Sequence, residues 1–212
     1  MTQYPHEGRQ RVVIERVRPA VDAGRFAIKR AIGEQVKVSA SIFCDGHDRI
    51  SAVVQHRFAE GDWAEAPMQA LPNDRWQAAF TVERTGTYAY AVAAWIDPFL
   101  TWRHDLLRRT DAADIAIALK GGALLVNAAG RRASGPDRDT LMAYAAHLAA
   151  AGAEEGCVLA ADPMLEQLMA RHAERRFVQS HAPLQVTVDP VRARFSSWYE
   201  LFPRSCGPSA AV

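Results

Sequence analysis

Four groups of residues have types and spacings that could do chemistry. Asp45, His47 and Asp48, in the run Asp45-Gly46-His47-Asp48, could ligate a metal or a sugar hydroxyl. Asp and Gly favour tight turns for backbone reasons, so the run reads first as a polar turn between strands. Cys44 with His47 suggests a thiol nucleophile, but Cys44 continues the inward phase of its strand, which predicts a buried, inert thiol. Trp102, Arg103, His104 and Asp105 are contiguous and could contact a ligand; they could also join two parts of the fold, since tryptophan usually supplies packing area. Trp63, beside a turn, offers a flat aromatic face to a sugar and is the candidate substrate-binding residue. No CxxC, HExxH, GxGxxG or phosphate-loop spacing occurs, and Gly121-Gly122 lacks the lysine of a phosphate loop. No residue is therefore expected to be catalytic, to bind a cofactor or to hold a metal.

These groups must be positioned by strands in the first half. Val36, Val38, Ala40 and Ile42 alternate with Lys37, Ser39 and Ser41 over Gln35–Cys44. Trp76, Ala78, Phe80 and Val82 alternate with Gln77 and Thr81, and Leu184, Val186 and Val188 form a third such run. Period-two patterning marks half-buried strands. Strands are also expected at 11–17, 51–58 and 87–97, with a short extended piece at 26–32. Residues 63–68 and 75–82 read as a hairpin around Pro72-Asn73-Asp74. The 87–97 strand is apolar on both faces, as a central, doubly covered strand would be. Turn signals every ~8–12 residues fit a sandwich of about seven strands.

After Pro98 the pattern becomes helical. Ile115, Ala118, Leu119, Leu124 and Leu125 space one helix over 114–127, although Gly121-Gly122 argues against an unbroken one. Residues 128–135 read as a loop. Leu141, Tyr144, Ala145 and Leu148 mark a helix over 137–151. Asp162-Pro163 supplies an N-cap and a first-turn proline, ahead of a stripe of Leu165, Leu168, Met169 and His172. The expected fold is α+β: an immunoglobulin-like antiparallel β-sandwich (1–98 and 183–192) with a helical bundle (99–182) inserted before the last strand. Three short amphipathic helices cannot bury their stripes alone and need each other, the sandwich or a second chain.

Composition narrows the function. The 212 residues are 49% hydrophobic and 23% charged, ordinary for a globular protein, with formal net charge +1. That balance gives no electrostatic case for nucleic acid or anionic membrane. The three cysteines, Cys44, Cys157 and Cys206, are too few and scattered for a disulfide framework, which predicts reduced thiols and a cytoplasmic setting. The polar start, MTQYPHEGRQR, lacks the apolar centre of a secretory signal, and no uninterrupted apolar run reaches the ~18 residues of a membrane span.

Three segments together carry a family resemblance: RVRPAVDAGRFAIKRAIGEQVKVSASIFCDGHD (16–48), NDRWQAAFTVERTGTYAYAVAAWIDPFLTWRHDL (73–106) and ARFSSWYELFPRS (193–205). They resemble, in order, the N-terminal region of the bacterial alpha-1,4-glucan:maltose-1-phosphate maltosyltransferases, in the alpha-amylase superfamily (glycoside hydrolase family thirteen). The resemblance implies an immunoglobulin-like sandwich with an inserted helical bundle, both contributing to a homodimer. It further implies that a (β/α)₈ barrel follows the WYELFPRS-like segment and transfers maltosyl units from maltose 1-phosphate to an α-1,4-glucan.

A barrel takes ~250 residues, whereas seven follow Ser205 here. Retaining transfer needs two carboxyl groups ~5 Å apart, which in this family sit on barrel strands, and none of the 24 acidic residues here matches them. The expected role is thus a non-catalytic dimerisation and scaffold region, with a second copy and the catalytic barrel as partners and no cofactor. A standalone α-glucan-binding module is the alternative. The aromatic run Phe195, Trp198, Tyr199, Leu201 and Phe202, within 193–212, is expected to lead into and pack against the barrel.

Overall fold

The computed structural model describes residues 11–195 and 200. Two sheets face each other. One has four strands in the order β1 (Val12–Arg18), β3 (Gln35–Cys44), β7 (Arg75–Thr81) and β6 (Gln69–Leu71). The other runs β2 (Ile28–Ala31), β10 (Leu184–Asp189), β8 (Gly86–Ile96), β4 (Ile50–Phe58), β5 (Ala64–Pro67), with the two-residue β9 (Gln179–Ser180) also on β8. Every pairing is antiparallel except β2 with β10, which is parallel. Between β8 and β9 lie five helices: α1 (Pro98–Leu106), α2 (Ala112–Arg132), α3 (Gly135–Ala150), α4 (Ala153–Ala161) and α5 (Pro163–Arg171). This is an α+β fold: antiparallel sheets with the helices segregated to one insertion.

The inward residues of both sheets form one core. Val36, Val38, Ala40 and Ile42 of β3 meet Tyr88, Tyr90, Val92 and Ala94 of β8, with Val186 and Val188 of β10 beside them. The Tyr90 hydroxyl donates to the Pro19 carbonyl, and burial pushes its pKa up to about 12. The outer face of β8 is also covered: Ala93 and Trp95 pack with Val53, Ala173 and Val178. That explains why this strand is apolar on both faces.

The expected hairpin of 63–68 with 75–82 is wrong in its first arm. β5 pairs with β4, and only β6 pairs with β7 across the turn at 72–74. The chain changes sheets at Met68, whose amide donates to the Ala52 carbonyl while its side chain is buried in the shared core. Short strands that bridge two sheets carry little alternation of their own to reveal the switch.

The helices have their own core, with Leu106, Leu119, Val126, Leu141, Leu148 and Leu165 at its centre. α2 runs unbroken through Gly121-Gly122 and on to Arg132, so most of the expected 128–135 loop is helix. Gly122 is required there: a Cβ would lie 1.9 Å from Trp102 Cζ2. The Trp102 ring fills that notch, and its Nε1 donates to the Ala118 carbonyl at 2.7 Å. At the α4–α5 corner the Asp162 side chain accepts from the Met164 amide, as its Asp-Pro signature predicts, and also from the Tyr144 hydroxyl.

The two cores meet at Asp97, which is only 7% exposed. Its Oδ1 accepts from the amides of Phe99 and Leu100, both at 3.0 Å, and so caps α1. Its Oδ2 accepts from Ser51 Oγ on β4 at 2.8 Å, and its amide donates to the Arg49 carbonyl. Thr101 Oγ1 completes the joint, accepting from the Arg49 amide at 2.8 Å. One carboxylate thus ends β8, starts α1 and ties both to β4.

Two outcomes follow in denaturant unfolding. Asp97→Ala removes a cap and strands the Ser51 hydroxyl, and should cost about 2–3 kcal/mol. Gly122→Ala should cost about 1–3 kcal/mol by overpacking against Trp102, although a free helical site would gain about 1 kcal/mol from the same change. A gain in stability for Gly122→Ala would show that Trp102 is not seated there.

Candidate functional site

A cleft of about 1260 Å³ lies at the joint between sandwich and helices. Its walls are the β3–β4 connection, the turn at 72–74, α1 and the segment that follows α5. The end of β8 supplies Trp95 and Asp97 to its floor.

Polar contacts join the elements that line this cleft. Arg175 donates to both oxygens of Glu65 on β5, at 2.8 Å each, and its guanidinium lies 4.4 Å from the Trp95 ring centroid. The Arg175 hydrogen bonds hold the Glu65 carboxyl below its ordinary range, against the opposing effect of partial burial. Arg103 on α1 donates to Glu166 at 2.5 Å and to the Ala161 carbonyl at 3.0 Å, binding α1 to α4 and α5. Arg49 meets both ring nitrogens of His104, at 2.7 and 2.9 Å. Trp95 Nε1 is buried without a hydrogen-bond partner.

The sequence-predicted groups divide. Arg11 donates to Asp45 at 2.6 Å and to Asp48 at 2.7 Å, and its Nη2 reaches the Asp45 carbonyl. An arginine therefore occupies the position between these carboxylates where a cation would sit. Cys44 is half-buried, its Sγ donates to the Asp48 carbonyl at 3.5 Å, and burial pushes its thiol pKa up. That is the reverse of what a nucleophilic thiol needs. Trp102, Arg103 and His104 share α1 but serve three different partners: α2, the α4–α5 corner and Arg49. Asp105 is exposed. The four are a rigid helical link and not one ligand-binding cluster.

Trp63 is 39% exposed and lies outside the cleft. The Arg57 guanidinium lies over its ring at 4.8 Å, so one aromatic face is already covered. Of the aromatic run at 193–212, Phe195 is described and exposed, while Trp198, Tyr199, Leu201 and Phe202 lie outside the described residues.

Sequence reading missed Glu65, Arg175 and Asp97. Glu65 and Arg175 are far apart in the chain and carry no local signal. Asp97-Pro98 did carry one, the same Asp-Pro helix start that located α5. Glu65, Asp97 and Asp48 are all engaged by arginines or amides, so these carboxylates hold the joint together. Through these contacts Glu65, Asp97 and Asp48 tie chain segments together at the joint.

The sequence model of the family described as "Alpha-1,4-glucan:maltose-1-phosphate maltosyltransferase, domain N/S" matches residues 10–190. The alpha-1,4-glucan:maltose-1-phosphate maltosyltransferase of Chlorobaculum tepidum is 39% identical over 204 residues, covering 95% of this chain and 30% of that protein. Its namesake from Burkholderia pseudomallei is 40% identical over 203 residues, covering 92% of this chain and 18% of that protein. Maltosyltransferase 1 of Streptomyces coelicolor is 38% identical over 204 residues, covering 93% and 30%. The chain thus spans under a third of the length of these relatives. It belongs to the N/S-domain family of the alpha-1,4-glucan:maltose-1-phosphate maltosyltransferases and corresponds to their N-terminal region.

Proposed function

We propose that this chain is the non-catalytic dimerisation and scaffold region of a maltosyltransferase of α-glucan biosynthesis. In that enzyme a barrel moves maltosyl units from maltose 1-phosphate to α-1,4-glucan, and this region holds two such barrels in one assembly. Its partners are a second copy and the barrel, in the cytoplasm. Half-buried free thiols at Cys44 and Cys157 suit that reducing compartment. The sandwich is read as immunoglobulin-like.

The observation that carries the reading is the placement of the helices. β8 spans the sandwich from Gly86 to Ile96, and the helices leave from its Ile96 end. β10 brings the chain back to the Gly86 end, where Asp189 accepts from the Ile32 amide. Chain continuing beyond β10 therefore starts at the end of the sandwich away from the helices. The helical unit is free to face a second copy, and the acidic groups of the cleft are structural anchors.

Sedimentation equilibrium at micromolar concentration should give twice the chain mass. A single monodisperse monomer at high concentration would overturn the dimer role.

A further inference from the structure

The cleft carries more hydrogen-bond donors than its own acceptors use. Its carboxylates at Asp48, Glu65 and Asp97 already accept from Arg11, Arg175 and the cap amides. Arg103 and Arg171 have carboxylate partners in Glu166 and Asp137. Arg49, which also lines the cleft, meets an imidazole instead. Its Nη2 lies 2.7 and 2.9 Å from the two ring nitrogens of His104, and Arg108 Nη1 lies 3.3 Å from His104 Nε2. Among the described residues no carboxylate is within ion-pair distance of Arg49 or Arg108.

One imidazole cannot serve two guanidiniums. A neutral ring has a single lone-pair nitrogen, and a protonated ring has none. In either state donors of Arg49 or Arg108 are left over, and two like charges share one neighbour. The carboxyl end of α1 offsets roughly half a charge, against two full ones. Two more donors add to the surplus: Trp95 Nε1 and Arg103 Nε are buried without acceptors, in residues that line the cleft. Both atoms are closed to solvent, so they contribute field and not direct bonds to a ligand.

The group is held in place. The Arg49 amide donates to Thr101 Oγ1, and its carbonyl accepts from the Asp97 amide. The Arg108 amide donates back to the Asp105 carbonyl, which keeps Arg108 over the last turn of α1. Guanidiniums present planar forks that match phosphate oxygens. Asp74, on the wall formed by the turn at 72–74, makes no ion pair among the described residues. It disfavours a second anionic group, so the ligand is anionic at one end only. The cleft leaves room for an organic remainder beside Leu100 and Leu107.

We propose that Arg49, His104 and Arg108 form a binding site for a phosphoryl dianion, free or as the monoester of a small molecule, at the edge of the cleft. The site does not depend on the dimer or scaffold role above.

The 212-residue chain would be titrated with inorganic phosphate and with glycerol 2-phosphate, followed by calorimetry and by amide NMR shifts. At least one probe should bind at or below about 10 mM, with shifts centred on residues 49 and 101–108. Arg49→Gln and Arg108→Gln should each weaken binding about 10-fold or more, the value of one charge-assisted contact. Both side chains are exposed, so thermal unfolding should be unchanged. Arg131→Gln, at an exposed arginine in the last turn of α2, should bind as the unsubstituted chain does. Tighter binding of the ester would assign the site to phosphorylated small molecules; equal or tighter binding of inorganic phosphate would assign it to the free anion. No binding of either probe, or binding that survives both glutamine variants at Arg49 and Arg108, would overturn the site.

Discussion

The fold depends on a single buried carboxylate. Asp97 stands where β8 ends and α1 begins, and its two oxygens serve different masters: one caps the helix, the other holds Ser51 of β4. A buried carboxylate is costly unless its lone pairs are filled, and here two amides and a hydroxyl fill them. The consequence is directional. The helical unit cannot swing on a flexible link, because its first turn is bonded to two strands of the sheet. The Glu65–Arg175 pair closes the same joint from the return side, after α5, and Arg103 locks α1 to the α4–α5 corner.

This arrangement commits several carboxylates of the cleft to partners within the chain. Catalytic carboxyls need to be left partly free, with pKa values set apart by their surroundings. In this cleft Glu65 is held ionised by a bidentate arginine, Asp97 is a cap and Asp48 shares Arg11 with Asp45. The cleft is a seam between two cores, bridged by charge pairs. Fold alone does not confer activity, and the side chains here act to fix geometry.

Much of the architecture was legible in the residues. β3 falls on Gln35–Cys44 as its alternation requires, and β8 is covered on both faces because both carry apolar residues. Asp162-Pro163 located α5. The failures have physical causes. Gly121-Gly122 suggested a break because propensity ignores tertiary contact, whereas Gly122 is the notch for Trp102. The expected arm at 63–68 pairs with β4 and not with β7, and β6 was missed, because a sheet switch at Met68 leaves no period to read. α1 was hidden because it is short and its buried residues, Phe99 and Leu106, are flanked by polar groups used in cross-links. The cleft was illegible: Glu65 and Arg175 come together only through the fold. The partner of Asp45 and Asp48 was equally hidden: Arg11 precedes β1 and has no sequence relation to that turn.

The scaffold account stands or falls most directly on catalysis by the chain itself. Purified chain would be incubated with maltose 1-phosphate and glycogen, and phosphate release followed against an intact maltosyltransferase of the same family. The account predicts release by the intact enzyme and none by this chain. Phosphate release that scales with the concentration of this chain, and is lost on its heat denaturation, would contradict it.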